Sequence, residues 1–146
     1  MKTIRVKPVE MIGTCPARIM PKDEFQIEEM NLIHTGNVNL CFLAISHFPP
    51  TIWQLQNESR FFGHVSCPGC TKQPDEENRV VFLLGHADKW DLCQAISEYR
   101  RLTCQHSEPE KAKKLRVEAM QAQTDGDFSR ATLVMKAALN TFKGVK

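Results

Sequence analysis

The sequence predicts an α+β protein: a small β-rich domain with a cysteine knuckle and short helices, followed by a C-terminal helical hairpin. Three observations predict this class. Short alternating or apolar segments bounded by glycine and proline fill the first part of the chain, a Cys-Pro-Gly-Cys turn interrupts them, and apolar residues recur at helical spacing after Gly85. We place the boundary near residue 106, with an α+β domain over 1–106 and a helical hairpin extension over 107–146.

The composition belongs to ordinary globular proteins. The chain has 146 residues, of which 42% are hydrophobic and 25% charged, which excludes collagen-like and wholly disordered classes. A formal net charge of +2 is too balanced to predict binding to nucleic acid. The longest apolar run, Leu40–Ile45, is far shorter than the roughly twenty residues of a membrane span. The first ten residues lack the apolar core of a secretory signal, so we expect a cytoplasmic protein.

The N-terminal elements are short strands and turns. Apolar and charged residues alternate over Ile4–Lys7, as in a half-buried strand. Pro8 has no N–H to donate to a ladder, so the strand is predicted to lie at an edge or to bulge there. Gly13–Pro16 is a turn that presents a thiol, and Phe25–Ile27 is a second short strand.

Two short helices are predicted before the cysteine knuckle. The apolar density of Leu40–Phe48 predicts a short buried helix that ends at Pro49-Pro50. A second helix is expected over Thr51–Gln56. Phe61–Val65 then reads as a strand that runs into the Cys67–Cys70 turn.

The middle of the chain changes from strand to helix. The polar stretch Thr71–Asn78 predicts an exposed loop. Arg79–Leu84 is apolar without alternation, which predicts a strand covered on both faces. Asp88 is a good N-cap for the helix that follows, and His106–Pro109 interrupts that helix.

The tail predicts two helices around the turn Thr124–Asp127. One face of each helix carries mainly small residues, which allow two helices to approach closely. These residues are Ala112, Leu115, Ala119 and Ala122 in the first helix, and Ala131, Val134, Ala138 and Phe142 in the second.

Four of the six cysteines are candidate metal ligands. Cys67 and Cys70 lie three positions apart on a Pro-Gly turn, which directs two sulfur atoms toward one ion. Cys15 lies on a turn, and Cys41 lies near a helix start, where the helix dipole favours the thiolate. The sequence thus predicts a four-thiolate site of Cys15, Cys41, Cys67 and Cys70. Both zinc and a [4Fe–4S] cluster accept four thiolates.

Other uses of these cysteines stay open. His64, three residues before Cys67, is an alternative ligand. Cys67 and Cys70 could instead be the dithiol of a thiol-disulfide redox enzyme. Cys15 and Cys41 could instead be small buried hydrophobic residues, in which case only the Cys67–Cys70 turn would have a chemical role.

The two remaining cysteines are predicted to be core residues. Cys93 and Cys104 fall on the same face of one helix, about 16 Å apart at a rise of 1.5 Å per residue. At that distance they can neither form a disulfide nor share an ion.

The first ninety residues, about two thirds of the chain, resemble a family of small uncharacterised prokaryotic proteins. The matching pieces are Gly13-Thr14-Cys15-Pro16, Lys22-Asp23-Glu24-Phe25, Cys41 with Ala44 and Pro49, Cys67-Pro68, and Val80-Val81-Phe82. Lys22 stands where the family pattern has glycine, Phe42 stands where it has proline, and Cys70 is additional to its three cysteines. The resemblance implies a compact α+β domain and no established activity.

The tail resembles a single tetratricopeptide-like helical hairpin. The resemblance rests on Gly126-Asp127-Phe128 and on the alanines at 119, 122, 131 and 138. One such repeat has no neighbours to complete a peptide-binding groove. We therefore expect the hairpin to pack on its own domain or on a second subunit.

Together these features predict a non-enzymatic, metal-binding accessory or interaction protein. A closed four-thiolate site would stabilise the fold rather than catalyse a reaction. The C-terminal helices would mediate self-association or docking to a protein partner, with no role for nucleic acid or membrane.

Overall fold

The α+β class is confirmed. The computed structural model describes residues 2–33, 37–70 and 77–144, and these contain a five-stranded antiparallel sheet and five α-helices. The chain divides into two compact units, Met1–Asp88 and Lys89–Lys146, each of which is described separately below.

The sheet belongs to the first unit and is antiparallel throughout. Its strand order is β3-β2-β1-β5-β4, so β1 lies at the centre. The strands are β1 (Ile4–Ile12), β2 (Phe25–Glu28), β3 (Asn31–Ile33), β4 (Phe62–Ser66) and β5 (Arg79–His86).

Strand β1 accommodates Pro8 by a bulge. Pairing with β2 covers only Ile4–Val6, so Pro8 has a single partner strand, β5. The register with β5 shifts between Pro8 and Glu10, which leaves Val9 as the extra residue. Of the two predicted alternatives, the bulge at Pro8 is present. Strand β1 is not an edge strand, because its first half pairs with β2 on one side and with β5 on the other.

The core of this unit lies between the sheet and two short helices, α1 (Phe42–Ile45) and α2 (Pro49–Gln56). Phe48, between the helices, is 1% exposed and its ring lies 6.2 Å from that of Phe25 and 5.1 Å from that of Phe82. The predicted helix Leu40–Phe48 is thus shorter than expected. Because Pro49 has no N–H and fits the first helical turn, α2 begins there.

Strand β5 is buried on both faces, as its continuous apolar run predicts. Phe82 and Leu84 belong to the core beneath the helices, and Leu83, which points to the opposite face, is fully buried as well. This strand lies between β1 and β4 and therefore determines the position of both.

The second unit is helical. It contains α3 (Trp90–Gln105), α4 (Glu110–Thr124) and α5 (Phe128–Phe142). A 3₁₀ turn over Ala87–Lys89 precedes α3, so the predicted N-cap Asp88 lies within this turn and Lys89 takes the cap position. In the described part of the chain, no helix combines the length and apolarity needed to cross a membrane.

Helix α3 belongs with the two tail helices. The ring of Tyr99 packs edge-on against Phe142 of α5, with centroids 5.2 Å apart, and Lys136 of α5 pairs with Asp91 of α3 at 3.4 Å. The compact units divide between Asp88 and Lys89, and the domain boundary near residue 106 stays a prediction.

Helices α4 and α5 pack through small residues. The alanines of the two facing surfaces are at most 2% exposed: Ala112, Ala119 and Ala122 in α4, and Ala131 and Ala138 in α5. The turn between the helices includes Gly126 at φ 77° and ends at Asp127, whose side chain accepts the N–H of Arg130 at 3.1 Å. This aspartate caps α5 as an N-cap residue should.

A polar network holds the start of α4 against α3. The hydroxyl of Tyr99 donates to Glu108 at 2.7 Å, and Nε of Arg116 donates to the same carboxylate oxygen at 2.7 Å. Burial and the Glu108 carboxylate raise the pKa of Tyr99 to about 12. The hydrogen bond from Arg116 lowers the pKa of Glu108.

The network predicts an alkaline titration that one residue reports. Tyr99 is the only tyrosine of the chain, so tyrosinate absorbance follows it alone. We expect a midpoint near pH 12 in the native protein and near 10 in denaturant. Because folding raises this pKa, the associated stability is complete below pH 10 and is lost as the pH approaches 12. Glu108→Gln should lower the native midpoint, and a native midpoint near 10 would contradict the network.

The β2–β3 hairpin predicts a stabilising double substitution. Its two-residue loop, Glu29–Met30, has φ values of 47° and 73°, which a type I′ turn requires and which favour asparagine and glycine. Glu29→Asn with Met30→Gly should raise the free energy of unfolding by about 1 kcal/mol. Denaturant unfolding measures this as a higher midpoint at unchanged slope. Alanine at both positions is the matched control, and equal midpoints for the two double variants would refute the turn assignment.

Candidate functional site

The Cys67–Cys70 knuckle extends the pairing of β4 with β5. The N–H of Cys67 donates to the carbonyl of Val80 at 3.0 Å, and the N–H of Val80 donates to Sγ of Cys67 at 3.1 Å. The N–H of Cys70 donates to the carbonyl of Asn78 at 2.9 Å. Gly69 allows this tight turn because its φ is 91°, which side chains disfavour. Both thiols are thus held on ordered backbone.

The turn that carries Cys15 lies beside this knuckle. Pairing of Ile12 with Arg79 brings the end of β1 next to the start of β5. Gly13 has a φ of 70°, and a Cβ atom there would lie 2.1 Å from Oδ1 of Asn78. The absence of a side chain at Gly13 therefore allows the turn to approach the knuckle.

Cys41 is placed by a buried carboxylate. It is the N-cap residue of α1, and its carbonyl accepts the N–H of Ile45 at 3.0 Å. The preceding segment is fixed by Asp23, which is 1% exposed and accepts the N–H groups of Met20 at 2.8 Å and Asn39 at 3.0 Å. Asp23 thereby joins the loop after Cys15 to the segment before Cys41.

These three segments surround a cavity of about 130 Å³, which we call the thiol cavity. The four cysteines are each half-buried, and Leu43 in the same wall is 50% exposed, so the cavity opens at the surface. The described residues of its wall are Cys15, Pro16, Ala17, Ile19, Cys41, Leu43, Ala44, Cys67, Pro68, Gly69, Cys70, Asn78, Arg79 and Val80.

The thiols influence one another electrostatically. Burial raises the pKa of Cys70, and negative charge on Cys41, Cys67 and Cys15 raises it further. Two neighbouring thiolates repel each other in a poorly hydrated site, so negative charge nearby opposes the ionisation of Cys70. Cys70 is accordingly a neutral thiol at neutral pH.

The predicted function of a four-thiolate metal-binding protein is wrong. Among the described residues, no group of three or more His, Cys, Asp or Glu side chains is arranged to hold a metal ion. Cys15, Cys41, Cys67 and Cys70 stand in the wall of a cavity, whereas a tetrahedral zinc site places all its sulfur atoms about 2.3 Å from one centre. The sequence leaves open whether the metal group would be zinc or a [4Fe–4S] cluster, and the structure does not distinguish between these two cofactors.

The alternative of a thiol-disulfide redox enzyme is also wrong. Cys67 and Cys70 are free thiols, and the described cysteines contain no disulfide-like pair.

The remaining candidates lie elsewhere. His64 is half-buried in β4, where its ring packs edge-on against Phe62 at 6.1 Å, and it is not among the described wall residues of the thiol cavity. Cys93 is fully buried in α3, as predicted. Cys104 is exposed, so the prediction that it is a core residue is wrong.

Sequence reasoning missed Asn78. The polar stretch Thr71–Asn78 predicts an exposed loop; residues 71–76 lie outside the described part, but Asn78 is only 8% exposed. Its Oδ1 accepts the N–H of Thr14 at 2.7 Å, and its Nδ2 donates to the carbonyl of Cys70 at 3.0 Å. The available signal was an amide residue directly before a buried strand and opposite a glycine turn.

Comparisons with protein-family models, with curated proteins and with solved structures find no match to this chain. The resemblance to the family of small prokaryotic proteins therefore stays a prediction from the sequence.

Proposed function

We propose that the β-rich unit binds a small apolar molecule, about the size of one aromatic ring, in the thiol cavity. The observation that supports this is a cavity of about 130 Å³ that opens at the surface between apolar side chains and four cysteines. An engineered apolar protein cavity of about 150 Å³ binds benzene. A ligand of this size therefore matches the space.

The chemistry of the wall favours an apolar ligand over a charged one. A free cysteine behaves as a small hydrophobic residue with a polarizable sulfur, and sulfur contacts with an aromatic ring contribute about 0.3–1.5 kcal/mol. Burial keeps the pKa of Cys70 raised, so this thiol adds no charge at neutral pH. Among the described wall residues, only Arg79 carries a permanent charge, and its guanidinium pairs with Glu77 at 3.0 Å.

The entrance is apolar as well. Leu43 lines the cavity and is half exposed, and its neighbour Phe42 is 84% exposed. Phe42 and Leu43 together supply contiguous exposed apolar surface at the cavity mouth, and contiguous apolar surface of this kind marks binding sites.

Toluene is a suitable probe of the cavity. We expect it to perturb the amide resonances of wall residues and to raise the melting temperature, whereas benzoate, a charged ring of similar size, should do neither. Ala17→Leu adds three carbons to the cavity wall and should weaken toluene binding at least about tenfold. Ala137→Leu adds the same atoms to an exposed face of α5 and is the matched control.

Two results would contradict the proposal. Equal toluene affinities for Ala17→Leu and Ala137→Leu would place the probe outside the cavity. A metal ion bound in stoichiometric amount by the purified protein would occupy the same thiols, so metal content should be measured on the same sample.

We propose a second, separate activity for the helical unit: self-association through α4 and α5. Val117 and Met120 are 53% and 51% exposed, and residues three apart share one helix face. Leu133 of α5 is 71% exposed. These apolar side chains, exposed on two adjacent helices, support an interface with a second copy; a protein partner is the alternative occupant.

Sedimentation equilibrium tests the self-association. We expect a reversible dimer that Val117→Lys with Met120→Lys weakens at least about tenfold, because the substitutions place charges in an apolar contact. Gln105→Lys, at an exposed position of α3 outside the proposed interface, should leave the dissociation constant unchanged. A monomer at every concentration would refute self-association and leave the partner protein as the occupant to be sought.

We propose a cytoplasmic location. All six cysteines are free, and four of them form the wall of the cavity. Thiols persist in the reducing cytosol, whereas exported proteins generally oxidise them to disulfides. A reducing compartment therefore suits the proposed cavity.

A further inference from the structure

Asn78 connects the two turns that form one side of the thiol cavity. Its amide oxygen accepts the N–H of Thr14, next to Cys15, at 2.7 Å. Its amide nitrogen donates to the carbonyl of Cys70 at 3.0 Å. Asn78 is also among the residues of the cavity wall. One buried amide thus bonds to both turns.

We propose that Asn78 is a positioning residue that sets the separation of the Cys15 turn from the Cys67–Cys70 knuckle and thereby determines the size of ligand that the cavity accepts. This inference rests on the proposed binding of a small apolar molecule. It adds the residue that controls selection among such molecules.

The two ends of the amide have different and complementary roles. The Thr14 N–H needs an acceptor and the Cys70 carbonyl needs a donor, and a carboxamide supplies both at once. An aspartate in its place keeps the acceptor and loses the donor. A serine is too short to reach both turns. No other side chain of this length serves both groups.

Gly13 is the counterpart of Asn78. A Cβ atom at Gly13 would lie 2.1 Å from the Asn78 oxygen and 2.3 Å from the carbonyl of Glu77. Real Cβ atoms do not approach this closely, so a side chain at Gly13 would push the Cys15 turn away from the amide. The approach of the turn to the knuckle therefore depends on both residues.

Loss of the amide bonds has a definite consequence for the cavity. The segment after Gly13 contributes Cys15, Pro16 and Ala17 to the wall, and the knuckle contributes Cys67 and Cys70. If the two segments separate, the cavity widens while its apolar character is retained. The larger of two apolar ligands should then gain affinity relative to the smaller.

The test compares toluene with naphthalene on the full chain, at a temperature where each variant is folded by circular dichroism. For Asn78→Ser, an uncharged change that removes both amide bonds, we expect the ratio of naphthalene to toluene affinity to rise about tenfold over the wild type. Asn140→Ser makes the same change on an exposed position of α5 and should leave the ratio unchanged. Gly13→Ala perturbs the contact from the other side and should shift the ratio in the same direction, which covers the case in which Asn78→Ser fails to fold.

A readout without ligand separates this inference from the proposed function. Mass spectrometry measures the alkylation rates of Cys15 and Cys70 by iodoacetamide, with the exposed Cys104 as an internal reference. We expect both relative rates to rise at least about threefold in Asn78→Ser, because the turns separate and the substitution adds no charge beside the thiols. If the wild type binds neither probe while these rates rise, the proposed function fails and the positioning role stands.

The inference itself is overturned by a different pattern. If the probes bind the wild type, and Asn78→Ser lowers the melting temperature without changing the affinity ratio or the relative alkylation rates, Asn78 contributes stability alone.

Discussion

The antiparallel pairing of β1 with β5 is the constraint on which the thiol cavity depends. The ladder runs from Ile4 opposite His86 to Ile12 opposite Arg79, so the turn after β1 emerges beside the residues that precede β5. Because β4 pairs with the other edge of β5, the Cys67–Cys70 knuckle reaches the same end of the sheet. A shift of register by one residue would reverse the facing of every side chain on β1 and separate the two turns.

Two buried polar side chains fix the positions of the loops that form the wall of the thiol cavity. Asp23 and Asn78 are 1% and 8% exposed, and each satisfies backbone groups that the loops leave without partners in secondary structure. Burial of a carboxylate or amide is costly unless hydrogen bonds compensate it, and here the bonds connect different loops. The cysteines therefore occupy places that are determined by neighbouring polar residues rather than by a bond between the sulfur atoms.

The sequence predicted what depends on local pattern. Three patterns fall into this class: the alternation in β1, the apolar run of β5 and the spacing of small residues in α4 and α5. Each pattern lies within a single element and indicates which of its residues are buried. The central position of β1 and the role of Asn78 depend on residues distant in sequence. The side chain of Asn78 accepts a hydrogen bond from Thr14, which follows the neighbouring strand β1 and is 64 residues away in sequence. No local sequence pattern identifies such a partner. The association of α3 with α5 rather than with the first unit has the same cause.

The failure of the metal prediction follows from the same physics. The spacing of Cys67 and Cys70 on one turn shows only that these two sulfur atoms can approach a common ion. A metal site needs all of its ligand atoms to surround one point. In this fold Cys67 accepts the N–H of Val80, and Cys70 is held through its backbone N–H by Asn78. These bonds orient the knuckle toward β5 and leave its sulfur atoms in the wall of a cavity. Burial and charge on the neighbouring thiols raise the pKa of Cys70, so this thiol is neutral at neutral pH. A neutral thiol behaves as a small hydrophobic residue, and at this place it contributes apolar surface to the cavity wall.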